Sequence, residues 1–240
     1  MRTRDLEYHV DGKRYVGAYA VGEARRGRRP GVLVAPEGGG LTDHTKSLAR
    51  RLAEAGYAAF AMDYYGDGQP LADLDQVMGR LGPWMADPAG IRAIAAAALG
   101  VLAGEPEADP SRLAAIGYCF GGTTVLELAR SGADLKAIVG FHSGLATARP
   151  DDAKNVRAKV LVCIGADDPI IPPDQRLAFE KEMNAGKVDW RMNLYGGAAH
   201  SFTNPGVDAL NRPGFAYHQP SDRRSWAAMT DLFEEALGNP

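Results

Sequence analysis

Only two cysteines, Cys119 and Cys163, occur in the 240 residues, too few for the disulfide framework that staples small secreted domains. Neither belongs to a Cys-x-x-Cys pair, and no two of the five histidines stand at zinc-ligand spacing. No metal is therefore expected. Long apolar runs are missing as well: the longest, around Ile94 to Ala103, is alanine-rich and falls well short of the roughly 20 residues that cross a bilayer. It reads as a buried helix, with no membrane partner. The first ten residues carry Arg2, Arg4, Asp5 and Glu7 and have no apolar h-region, so a secretory leader is not expected and the cytoplasm is the default compartment. An excess of one charge is also lacking. A net charge of -3, with 24% charged and 45% hydrophobic residues, describes an ordinary globular chain with no electrostatic bias toward nucleic acid.

The length allows one large core, and a single domain spanning 1–240 is the expectation, since no linker, repeat or low-complexity tract interrupts the pattern. Leu6 to Val10 and Tyr15 to Val21 flank Asp11-Gly12, a short-range hairpin signal. Gly22 to Pro30, with Arg25, Arg26, Arg28 and Arg29, reads as a solvated connection. Apolar runs and helical patterns then alternate. Strands are expected at Val32 to Ala35, Tyr57 to Met62, Leu113 to Gly117, Ala137 to Phe141, Val160 to Gly165 and Trp190 to Leu194. Helices are expected at Asp43 to Glu54, Pro88 to Ala103, Phe120 to Arg130, Pro173 to Ala185 and Asp222 to Leu237. Such alternation means βαβ units: an α/β fold with a mostly parallel sheet of about eight strands and five or six helices on its two faces. Gly66 to Asp87, with Pro70, Gly79, Gly82 and Pro83, is the least periodic stretch and is expected as a small lid or pocket wall.

The chemistry concentrates at Gly117-Tyr118-Cys119-Phe120-Gly121, where a buried strand hands over to a helix. A nucleophile on so sharp a turn is held in strained backbone geometry, and glycines two residues to either side let strand and helix close up. The helix N-terminus favours a thiolate there. Cys163, within the apolar run Val160 to Ile164, reads as a small core residue. A thiol at neutral pH needs a base, and the base needs a group that fixes its tautomer. Asp167 and Asp168 follow one strand and His200 follows the next through Gly196-Gly197, which brings acid and histidine to the same carboxyl edge. The chain order nucleophile, acid, histidine is that of the α/β-hydrolase fold. His142 also ends a strand and is a candidate for the pocket.

Gly-Tyr-Cys-Phe-Gly-Gly at 117–122, the Asp168 to Pro172 segment, Ala199-His200-Ser201-Phe202 and Glu37 after the first parallel strand together resemble the dienelactone hydrolase family over roughly the whole chain. The resemblance implies an α/β-hydrolase with Cys119, Asp168 and His200 as its triad and no cofactor. It assigns the acid to Asp168 rather than Asp167. It also implies that Glu37 stands beside the resting cysteine, where a carboxylate could accept the thiol proton and limit adventitious oxidation. Gly38-Gly39-Gly40 would lie in the loop that donates one oxyanion-hole amide, from Gly38, the second coming from Phe120. As a phosphate loop this run lacks the Lys and Ser/Thr it would need.

Family members that act on dienelactones hold the substrate carboxylate with arginines, one of them four residues after the histidine, and here that position is Asn204. The departure points to a neutral small-molecule ester or lactone as substrate. Tyr64, Tyr65, Trp84, Phe141, His142, Phe202 and Asn204 are the expected pocket residues. The alternatives are turnover of an aryl ester or phosphotriester by the same cysteine, a redox-sensing cysteine protein and a non-catalytic small-molecule binding module. Both monomer and homodimer are compatible with the sequence.

Overall fold

The computed structural model describes residues 1–24, 27–71 and 73–240. The chain opens with a hairpin of β1 (Arg2–Val10) and β2 (Lys13–Val21), Val10 pairing with Lys13. Asp11 and Gly12 take φ of 49° and 76°, the left-handed backbone that a two-residue turn needs if its twist is to match the strands. There follow β3 (Arg29–Ala35), α1 (Asp43–Glu54), β4 (Ala58–Ala61), α2 (Leu74–Ala86), α3 (Ala89–Gly104), β5 (Ala108–Tyr118), α4 (Phe120–Arg130) and β6 (Ala137–Phe141). The chain continues through β7 (Lys159–Gly165), α5 (Pro173–Ala185), β8 (Trp190–Tyr195) and α6 (Gln219–Leu237).

The strands form one sheet in the order β1-β2-β4-β3-β5-β6-β7-β8. β1, β2 and β4 pair antiparallel, whereas β4 through β8 run parallel. This is the mostly parallel α/β architecture anticipated from the alternating pattern. Alternate residues divide between two cores. Leu33, Ala35, Val160, Val162 and Ile164 face α3, α4 and α5, while Val32, Val34, Leu161 and Cys163 face α1 and α6. Cys163 is accordingly a core residue.

Two expectations need correction. Arg29 is not part of a solvated connection: it starts β3, is buried, and donates through Nη1 to the Gly22 carbonyl at 2.8 Å. Arg25 and Arg26 lie outside the described residues. The stretch 66–87 is not aperiodic, because α2 occupies most of it, with Asp73 accepting from the Gln76 amide at 2.8 Å as its N-cap. Gly79, Gly82 and Pro83 lie inside this helix, and their low helix propensity is what hid it. Among the described residues no single helix is long and apolar enough to cross a membrane; α2 and α3, taken together, bend by 97° at their junction.

The register aligns the carboxyl ends that matter. Tyr118 of β5 pairs with Phe141 of β6, and Phe141 with Cys163 of β7. Cys119, His142 and the loop after Gly165 therefore emerge side by side at one edge of the sheet.

Candidate active site

Cys119 sits between β5 and α4 at φ 54°, ψ -119°, a conformation that L-residues avoid unless their surroundings impose it. The flanking glycines explain how the turn closes. A Cβ at Gly117 would overlap the Gly121 carbonyl, one at Gly121 the carbonyls of Ala35 and Pro36, and one at Gly122 the Ser143 side chain. The first turn of α4 thus packs directly on the 35–36 backbone and so beside Glu37 and Gly38. The Cys119 side chain remains partly accessible.

The acid and the histidine come together at the adjacent strand ends. Asp168 is buried; its Oδ1 accepts from the Ile170 amide at 2.8 Å, and its Oδ2 lies 2.8 Å from Nδ1 of His200. Asp167 is exposed and offers the loop only its main chain, donating to Ala198 at 3.1 Å. His200 is 1% exposed. Its Nε2 is buried with no nitrogen or oxygen partner; the group beside it is the Cys119 thiol. Burial opposes charging this imidazole, but the Cys119 thiolate and the hydrogen bonds to Asp168 and Cys119 outweigh it and push the His200 pKa up to about 10. The raised value makes His200 a strong proton acceptor beside the Cys119 sulfur. Behind His200 the chain folds back on itself: its amide donates to Gly214 at 3.0 Å, and the Phe215 ring meets the imidazole edge-on at 4.9 Å.

No acceptor among the described residues takes the amide hydrogen of Gly38 or of Phe120. Phe120 directly follows the cysteine, and the strand end leading to Gly38 packs against the first turn of α4 through the 35–36 backbone. Tyr64 and Tyr65 fix this loop. The Tyr64 hydroxyl donates to the Pro36 carbonyl at 2.9 Å, and the Tyr65 hydroxyl to the Gly38 carbonyl at 2.5 Å. Trp84 of α2 lies nearly parallel to Tyr65 and to Phe120, with ring centroids 6.1 and 6.0 Å apart. Tyr64 is buried among these rings, while Tyr65 and Trp84 are half-buried. From the stretch 66–87, Trp84 of α2 thus joins Tyr64, Tyr65 and Phe120 in an aromatic cluster beside the cysteine.

Other expected pocket residues lie elsewhere. Phe141 is buried and stacks on Tyr118 at 4.7 Å, in the core beneath α1 and α6. Phe202 is fully buried between Tyr195 and His142. Both are core residues, as their strand parity and loop packing dictate. His142 is fully buried, with Nδ1 3.1 Å from the Cys119 amide nitrogen. Glu37 does not bond to Cys119: its Oε2 accepts from Asn204 Nδ2 at 2.7 Å, and the Asn204 Oδ1 is itself held by the Gly206 amide at 2.9 Å. Asn204 is thereby a holder of Glu37 rather than a free substrate contact. Thr203, three residues beyond His200, bonds His142, a partnership no local motif announces. Among the described residues no three His, Cys, Asp or Glu side chains cluster to hold a metal ion.

Comparison with known proteins identifies the family and the fold. The family model described as "Dienelactone hydrolase family" matches residues 16–237. A Salmonella typhimurium protein named "Putative carboxymethylenebutenolidase" is 29% identical over 231 residues, covering 92% of this chain and 82% of that one. The solved structure named "m3DLH" is 47% identical with a TM-score of 0.96, covering 98% of both chains. A dienelactone hydrolase-like promiscuous phosphotriesterase from metagenomic libraries is 44% identical with a TM-score of 0.94, covering 99% of both. The chain belongs to the dienelactone hydrolase family and is a carboxylic ester hydrolase of the α/β-hydrolase fold.

Proposed function

We propose that this protein hydrolyses small, neutral esters or lactones by two acyl transfers through Cys119. The observation that carries the reading is the buried His200, bonded to Asp168 through Nδ1 and left with only the Cys119 thiol before its Nε2. His200 takes the Cys119 thiol proton at Nε2, the thiolate so formed attacks the substrate carbonyl carbon, and the amides of Gly38 and Phe120 hold the resulting oxyanion. The carbon–oxygen bond breaks, His200 gives the Nε2 proton to the departing alkoxide, and a thioester remains on Cys119. Water then attacks the thioester while His200 takes its proton. The tetrahedral intermediate expels the thiolate, which takes the proton back from His200 and returns the site to its starting state.

The substrate's neutrality follows from what faces the cysteine: the aromatic cluster of Tyr64, Tyr65 and Trp84, and an Asn204 already engaged with Glu37. The Arg80 guanidinium acts on Tyr65 through its charge. Rapid acid quench of a p-nitrophenyl ester reaction, followed by peptide mass mapping, tests the mechanism. An acyl adduct on the Cys119 peptide supports it, and an adduct confined to another residue overturns it.

A second activity draws support from the 44% identity to a promiscuous phosphotriesterase. Attack of the same thiolate on the phosphorus of a neutral aryl phosphotriester would displace an aryloxide in the same way. Comparing aryl ester and aryl phosphotriester turnover on one preparation ranks the two, and absence of phosphotriester turnover removes the second.

A further inference from the structure

His142 takes no part in the chemistry described above, yet it touches both halves of it. It follows β6 at φ 40°, is fully buried, and donates its main-chain N–H to the Cys163 carbonyl at 2.8 Å. Its Nδ1 accepts from the main-chain N–H of Cys119 at 3.1 Å, a hydrogen that the Phe141 carbonyl shares at 3.0 Å. Its Nε2 lies 2.8 Å from Thr203 Oγ1, on the loop that carries His200. A neutral imidazole that accepts at Nδ1 carries its proton on Nε2, so the ring donates to Thr203. Burial pushes His142 well below its ordinary range, with repulsion from His200 and His44 adding to the effect. The ring meets that of His200 edge-on, with centroids 5.2 Å apart.

We propose that His142 is a positioning residue for the hydrolytic site, a neutral bridge that fixes the Cys119 backbone against the loop carrying His200. The proposal rests on the reading of Cys119 as nucleophile and His200 as base. The physical argument starts from the strained backbone at Cys119, which persists only if its neighbours over-determine it. Two acceptors converge on the Cys119 amide, and one of them belongs to a rigid ring whose far end is tied to Thr203. The placement of the Cys119 sulfur relative to His200 Nε2 is then set by one planar group rather than by two independent loops. The bridge needs an acceptor at one end and a donor at the other. Phenylalanine supplies neither, and asparagine, whose one short amide holds both, can take the Cys119 hydrogen with its oxygen without spanning to Thr203 as the ring does. A charged ring so close to His200 would also compete with it for the proton, which burial of His142 prevents.

Three variants test the bridge: His142→Phe, His142→Asn and Thr203→Val. The burst of p-nitrophenolate counts competent sites, so kcat is expressed per functional molecule and loss of folded protein does not imitate loss of catalysis. We expect His142→Phe to lower kcat per site roughly tenfold to a hundredfold, as a small misplacement of reacting groups does. KM should stay within about threefold, because no substrate contact is removed. His142→Asn should recover much of the loss, since its amide oxygen replaces Nδ1. Heteronuclear NMR of the histidine side-chain nitrogens should find His142 in the Nε2–H tautomer in the wild type. A folded His142→Phe with wild-type kcat per site, or an asparagine variant no better than phenylalanine, overturns the proposal. Should His142→Phe not fold, Thr203→Val decides: a reduced kcat per site supports the bridge, and an unchanged one refutes it. Failure of the nucleophile assignment would look different, with the wild type itself forming no acyl adduct on Cys119.

Discussion

Two buried polar regions lie within this fold, on either side of α4, and they treat their hydrogen bonds in opposite ways. Beneath α3, α4 and α5, Arg130 is 1% exposed and every guanidinium nitrogen is matched: Nε and Nη2 to Glu182 at 2.7 and 2.8 Å, Nη1 to Glu127 at 2.9 Å, and Nη2 also to the Leu145 carbonyl at 3.0 Å. Arg92 extends the network, bonding Glu127 and Asp152. At the other end of the same helix, His200 Nε2 and the amides of Gly38 and Phe120 are left without oxygen or nitrogen partners. Buried donors and acceptors are costly when unmatched. In the proposed mechanism the unmatched atoms are those that would meet an ester's carbonyl oxygen and leaving group.

Substitutions should separate the two regions. The largest effect belongs to the open one. Asp168→Asn should lower kcat on the order of a thousandfold or more, because Nδ1 of His200 loses the carboxylate that fixes its tautomer, with a lower denaturation midpoint from the loss of the same buried pair. Stopped-flow ester hydrolysis and urea unfolding on the same sample give both numbers. Arg130→Met should lower stability without lowering kcat. Leaving Glu127 and Glu182 buried without their cation costs about 3–5 kcal/mol of stability, while kcat per competent site stays at the wild-type level. A drop in kcat as large as that of Asp168→Asn would erase the distinction between the regions.

The pH dependence of stability sharpens it further. In the folded protein the His200 pKa stands at about 10 against an ordinary 6.5, so the folded state holds its proton more tightly than the unfolded chain does. The stability this group contributes is full below the ordinary value and is lost as pH rises through about 10. Cys119→Ala removes one cause of the shift, so the variant should lose less stability than the wild type across that window. Equal pH profiles from chemical denaturation would contradict the coupling of His200 to Cys119. The smallest effect is expected at Glu37. Its carboxylate bonds Asn204 rather than the cysteine, and Glu37→Gln should change kcat by no more than about threefold.

Much of this arrangement was legible in the amino-acid order because local chemistry dictates it. Gly117, Gly121 and Gly122 mark the elbow, since only glycine fits where the structure leaves no room for a Cβ. The order of Cys119, Asp168 and His200 follows from the strands that precede each of them. What stayed hidden depends on packing across the fold. α2 was obscured by Gly79, Gly82 and Pro83, whose low propensity is offset by packing Trp84 and its neighbours against the aromatic cluster. Strand parity could have told that Phe141 shares a face with Ala137 and Val139 and points away from the site. The Glu37–Asn204 and His142–Thr203 bonds join residues 167 and 61 positions apart, a separation at which no spacing rule operates.

The account turns on one sulfur atom, and p-nitrophenolate release from a short p-nitrophenyl ester tests it most directly. Purified wild type and Cys119→Ala are compared with a chelator present throughout. Steady turnover by the wild type and none above the uncatalysed rate by the variant is the expected result. Equal turnover by both proteins would mean that the strained cysteine at the end of β5 is not the nucleophile.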